Sequence, residues 1–297
     1  MLARLSLSAI LLTLPPAMAN PEPPFKKSET PATLQAPAIK EASGLAPSLR
    51  SDDALWLIND SGAPANLHLI NTDGSDRGSL ALSNTINRDW EDLAAFTWKD
   101  KPHLLIADTG DNAAQHPSCT LIIVEEPPLP APGKTLAGTI TPAWTIRFVY
   151  PDGPRDCEAV AVDAAAGKIL LVTKRDTPPR IYQIPLRPSS NDVQIATFLG
   201  TTQVTPPAGT LHPFGAQPTA LDLSPDGKSA ALLSYIGIFH FPRQPGETWQ
   251  AALARKPAML EPHRLQQAES LAFSKNGKSL ITLSEGNRSP ILTYQKR

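Results

Sequence analysis

The chain is poor in the groups that mark several large functional classes. Lysine plus arginine (27) nearly balance aspartate plus glutamate (28), a net charge of −1, so no global field draws the protein to nucleic acid or anionic lipid. Aromatic residues are 6% of the sequence, which weakens a case for sugars held on stacked rings. The two cysteines, Cys119 and Cys157, cannot build a structural zinc site alone. There is no G-x-S-x-G elbow, no G-x-x-x-x-G-K phosphate cradle and no H-E-x-x-H helix, the usual signs of three hydrolytic or nucleotide-binding chemistries. The six histidines are scattered and read as surface or turn residues. Sustained 3.6-residue apolar periodicity is missing outside the first twenty residues and a short candidate at 247–255, and 32 prolines add to the case against a helical protein.

The first residues carry an address. Arg4, the apolar run Leu5 to Leu14 and "AMA" at 17–19 read as a signal peptide over 1–19. The run is too short to span a bilayer, and no cysteine follows for a lipid anchor. The expectation is an exported protein, periplasmic or extracellular, with no transmembrane anchor after cleavage. Export makes Cys119 and Cys157 candidates for one disulfide; two separate buried thiols are the alternative. Residues 20–38 form a Pro-rich leader, and 39–297 a single domain. "EEPPLPAPGK" (125–134) reads as a long loop within it.

That domain repeats itself. "ASGLA" (42–46), "WEDLAAF" (90–96), "CEAVAV" (157–162), "PTALDL" (218–223) and "AESLAF" (268–273) each open an apolar strand on a small or polar residue. They align Ser43, Glu91, Glu158, Thr219 and Glu269 in one column, at spacings of 48, 67, 61 and 50 residues. Each is followed by a turn, such as "AAGK", "PDGK" or "KNGK", and a second apolar strand ending at Asp60, Asp108, Lys174, Ser234 or Glu285. Those ends lie 17, 17, 16, 15 and 16 residues after their partners.

Such regularity predicts an all-β protein, a β-propeller. Five blades match five motifs; six would need a blade whose motif has decayed. In an antiparallel pair the start of one strand lies beside the end of the next, so both columns should meet at one mouth of the central channel. The last repeat is short, and a ring must leave no open edge. The segment "ATLQAPAIK" (32–40) is therefore expected to supply an outer strand to the last blade.

The stretches "EASGLAPS", "LWLINDSG", "DWEDLAAF", "LLIADTGDN", "DCEAVAVD", "ILLVTKR", "QAESLAF" and "LITLSEG" resemble the exported β-propellers of the SdiA-regulated family. More distantly they are similar to the esterase-like phytase propellers. The resemblance covers about residues 40–290 and implies a calcium-binding propeller; the fourth repeat departs from it with Thr219 and Ser234.

The chemistry converges on the columns. Glu91, Glu158 and Glu269, with Asp60, Asp108 and Glu285, gather carboxylates around one base, Lys174. Like charges at close range either raise pKa values or bind a cation. Calcium suits six to eight oxygens, another divalent cation is an alternative, and "DTGDN" adds Asp111 and Asn112 as donors. Glu91, Glu158 and Lys174 are the candidate catalytic groups, with Arg155 and Arg175 placed to hold a small anionic substrate during ester, phosphoester or lactone hydrolysis. Two alternatives stay open. The polar ring is purely structural, or the protein is a non-catalytic scaffold presenting a face to an envelope protein, peptide or glycan. A monomer is expected. Asp89 and Asp92 are set aside, no counterpart being assigned to either in the other repeats.

Overall fold

A computed structural model describes residues 23–205, 209, 212 and 214–297. Residues 1–19, expected from the sequence to be a signal peptide, lie outside the described residues. Five antiparallel sheets carry the five repeats in chain order, which makes the protein a five-bladed β-propeller. The innermost strands are Ala42–Pro47, Trp90–Trp98, Cys157–Asp163, Pro218–Leu223 and Ala268–Phe273, and each packs on the next around a closed ring.

The strand patterns follow from what lies on either side of each blade. In the second strand of blade two, Leu104 and Ile106 pack toward blade one, while Leu105 and Ala107 pack toward blade three. Both faces are therefore buried, so the strand reads as an unbroken apolar run and not as alternation. The core accordingly divides into five clusters, one at each blade interface. Trp56 and Trp90 lie fully buried in the cluster between blades one and two, as wedges between sheets. The turns after the inner strands of blades three, four and five hold Gly167, Gly227 and Gly277 at φ of 64°, 66° and 67°, a region that disfavours residues bearing a Cβ.

Closure comes from the N-terminal segment. Ala32–Thr33 pairs with Pro290–Ile291 of the last strand, as expected, but Phe25–Lys27 also pairs with Tyr294–Lys296. That second closing strand lies in the Pro-rich leader, whose apolar Phe25 is buried between blades four and five. Outer edges are covered as well. Thr139–Ile140 runs parallel to the outer strand of blade one, and Gln194–Ile195 parallel to that of blade two. Short borrowed strands of this kind protect an edge against pairing with another chain. The one helix among the described residues, Trp249–Ala254, is short and is capped by Thr248, whose hydroxyl accepts from Ala251 N. Among the described residues no helix is long and apolar enough to cross a membrane. Cys119 and Cys157 are both free and buried, so the two-thiol alternative is the one found. Burial pushes the Cys119 thiol up to about 12.

Candidate functional site

Each of the five aligned residues occupies the same backbone irregularity. Ser43, Glu91, Glu158, Thr219 and Glu269 are the positions where register slips between the first and second strands of their blades. A bulge of this kind re-aims the side chain it carries.

What the bulge residue does depends on its length. Ser43 Oγ donates to Trp90 O and Thr219 Oγ1 to Ala268 O, both at 2.7 Å, tying each blade to the next. After Glu91 and Glu269 the equivalent carbonyl of the next blade is served by another hydroxyl. Thr109 donates to Cys157 O at 2.7 Å, and Ser270 to Ala42 O at 3.0 Å. The glutamates of blades two and five are thereby released from fastening.

Glu91 and Glu158 come together with acids two residues upstream of the bulge. Asp60, Asp89 and Glu91 place one oxygen each within 4.8 Å of one another, as do Glu91, Asp156 and Glu158. Glu91 belongs to both triads. It is 4% exposed, and nothing among the described residues donates a hydrogen bond to it. Glu158, 3% exposed, is ion-paired through Oε1 to Lys174, while Oε2 is buried without a partner. Asp156 Oδ1 accepts from Asp111 N at 3.0 Å, and its Oδ2 lies 2.7 Å from Arg175 Nε.

Space for this cluster is made by a glycine. Gly110 N donates to Asp89 O at 3.1 Å, as Asp60 N does to Glu41 O, Lys174 N to Asp156 O and Glu285 N to Gln267 O. Gly110 thus holds the place that Asp60, Lys174 and Glu285 hold in their blades. A Cβ there would overlap Glu91 Oε1 and the Asp89 carboxyl.

Blade two carries extra residues before that point, and so Asp108 stays out of the cluster. Its Oδ1 accepts from Asp89 N at 3.0 Å and faces Arg88 Nε at 3.6 Å. Asp111 folds onto its own loop, accepting from Gln115 N and His116 N at 2.8 Å each. Asn112 is exposed and bonded to Arg175. Arg155 is held by Asp152 and Asp176, each at 2.7 Å. On the far side of the mouth, Glu269 accepts from Tyr235 OH at 2.7 Å, lies 3.9 Å from Lys174 Nζ and adjoins Glu285.

The electrostatics follow the crowding. Burial first, then Glu158, Asp60, Asp89 and Asp156, push Glu91 well above the usual carboxylate range. Burial also raises Glu158, with Glu269 and Asp156 adding to it and Lys174 opposing. Burial and Asp60 bring Asp89 to about 6; burial and Glu269 bring Glu285 to about 9. For Lys174 the carboxylates of Glu158 and Glu269 outweigh burial and raise its pKa.

Two of these residues were not singled out from the sequence. Asp89 and Asp156 occupy the same position in their repeats, which holds Glu41 in blade one. Asp89 therefore does have counterparts, and the signal was an acid two residues before the bulge in three repeats.

No protein-family model matches the sequence, and no curated protein is similar to it. Among solved structures the chain is similar to a luciferin-regenerating enzyme, with TM-score 0.45 and 9% identity over 90% of this chain and 95% of that one. It is also similar to U3-55K, with TM-score 0.40 and 14% identity over 86% of this chain and 67% of that one.

Proposed function

We propose that this mouth holds a hard divalent cation, calcium by preference, and that the cation supports hydrolysis of an ester or phosphoester. The observation that carries the reading is Glu91. A buried carboxylate with no hydrogen-bond donor, crowded by other acids, is costly unless a cation joins it. The orphaned Glu158 Oε2 and the gap left by Gly110 support the same reading, as does the resemblance to the SdiA-regulated propellers.

Asp60, Asp89, Glu91, Asp156 and Glu158 would hold the cation. All five offer the hard oxygens that calcium takes in flexible geometry, with water completing the shell. When bound, such an ion polarises an ester or phosphoryl oxygen and acidifies water. Without the ion, burial and neighbouring acids raise Glu91 and Glu158, so binding it would displace protons there, and a carboxylate oxygen left uncoordinated would be placed to accept one from water. With no ion present, Lys174 neutralises the Glu158 carboxylate through Oε1.

Thermal melts in chelator and then in calcium test the cation. At a hundredfold excess over Kd, calcium should add about 3 kcal/mol, or several degrees. Gly110→Ala should remove most of that gain while leaving the chelator melt nearly in place. Identical melts for the unaltered protein, together with no metal in elemental analysis, would sink the reading. Hydrolysis is tested separately with an ester, phosphoester and lactone panel in calcium. Glu91→Gln and Glu158→Gln should abolish turnover with the fold intact, and no turnover of any substrate would leave a binding protein.

A further inference from the structure

Beside the acidic cluster lies a cavity of about 500 Å³ between blades three and four. Lys174, Arg175 and Asp176 line it, the last held by Arg155, and its walls include Pro178, Pro179, Val204 and Phe214. Phe214 leaves 54% of its surface uncovered and offers an aromatic face to the cavity it lines. The lining thus pairs a cationic end with an apolar wall.

Both bases are engaged with the cluster. Lys174 is ion-paired to Glu158 with both side chains buried, and Arg175 reaches Asp156 and Asn112. Glu158 and Asp156 are also two of the three carboxylates of one triad. A cation in that triad and the two bases therefore draw on the same two carboxylates.

Resting on the cation reading, we infer that this cavity binds a small anion carrying an apolar group, and that the cation promotes its binding by releasing Lys174 and Arg175 from Glu158 and Asp156. Without the cation, both positive charges are neutralised inside the cluster and offer little to an anion. With it, the carboxylates turn to the doubly charged ion, and the two bases face the cavity they already line. Arg175, whose side chain is 43% exposed, has the freedom to turn. Its planar fork suits a carboxylate or phosphonate, and Phe214 suits the apolar group beside it. Such coupling is reciprocal, so the anion must strengthen cation binding by the same factor.

Titration calorimetry on the full chain decides it, with phenylphosphonate as the probe and methylphosphonate as its apolar-free control. Calcium alone is titrated first; if it does not bind, the cation reading falls and the coupling falls with it. If it binds, phenylphosphonate should bind about tenfold or more tightly in calcium than in chelator, and should tighten calcium by the same factor. Arg175→Gln, at a half-exposed position that should not disturb folding, is expected to weaken phenylphosphonate about tenfold while calcium affinity holds or rises. Phe214→Ala should weaken phenylphosphonate and spare both methylphosphonate and calcium. Equal phenylphosphonate affinity with and without calcium, or no binding when calcium is bound, would overturn the inference. So would full affinity in Arg175→Gln, which would place the anion on the ion alone.

Discussion

Glu91 and Asp92 are neighbours on one strand and meet opposite environments. Asp92 is fully buried at the waist of the channel, where its carboxylate accepts from Leu93 N at 2.9 Å, Val160 N at 2.7 Å and Leu221 N at 3.1 Å. It therefore joins the inner strands of blades two, three and four. Asp222 does the same between blades four and five, accepting from Leu223 N and Phe273 N at 2.8 and 2.7 Å. Inner strands have no further strand to pair with on the channel side, and their buried N–H groups need acceptors. At the waist carboxylates supply them; one residue away at the mouth, Glu91 is given nothing. Burial alone does not tell a fastening acid from a binding one. The count of donors does.

The sharpest way to break that comparison is to exchange the treatment of the two neighbours. Asp92→Ala strips the acceptor from three backbone N–H groups and should cost on the order of 3 kcal/mol or more. Glu91→Gln should leave the melt in chelator unchanged or raise it, because it removes a repelled charge. Chemical denaturation of both variants in chelator reads the contrast, and equal losses would erase it.

A second, smaller effect is read by pH, and both regions share it, since burial also raises Asp92 and brings Asp222 to about 7. At the mouth the folded-state pKa values of Asp89, Glu91, Glu158 and Glu285 are raised. The native state then binds more protons than the unfolded one, so stability falls as pH rises from the unfolded carboxylate range through the folded values. With Asp89 at about 6 and Glu285 at about 9, melts in chelator should decline from about pH 4 to 9. Calcium competes with those protons, so its affinity should climb over the same window and the melt in calcium should flatten. A melting temperature in chelator that rises over this range would contradict the crowding. Smallest of all, Ser43→Ala should cost about 1 kcal/mol for one lost inter-blade hydrogen bond. It should not change calcium affinity, since that hydroxyl fastens blades; a drop in affinity would show that the two kinds of bulge residue are not separable.

The fold was legible because packing writes itself into the sequence at a fixed interval. Apolar runs, turn glycines and one polar residue at each strand start announced five blades, and the bulge explains why that polar residue recurs. The site was legible only in part. Glu91 and Glu158 stood out, but Asp108 was placed beside them by strand-end counting, and blade two's longer strand end moves Gly110 into that place. Asp89 and Asp156 precede the apolar run, so only the recurrence of an acid two residues before the bulge, shared with Glu41, marks them. Donor bookkeeping for Asp92 needs the neighbouring blades in space, which no local pattern supplies.

The last blade is woven from both ends of the chain, with Phe25 paired to Lys296. A ring sealed in this way cannot be completed until Pro290–Lys296 has been made and meets the segment at 25–33. Four blades can gather early from local hairpins, but the lock waits for that strand. Folding speed should therefore be set by that one encounter between distant ends. Deleting Phe25–Lys27 or Tyr294–Lys296 should leave hairpins that form and a circle that does not shut.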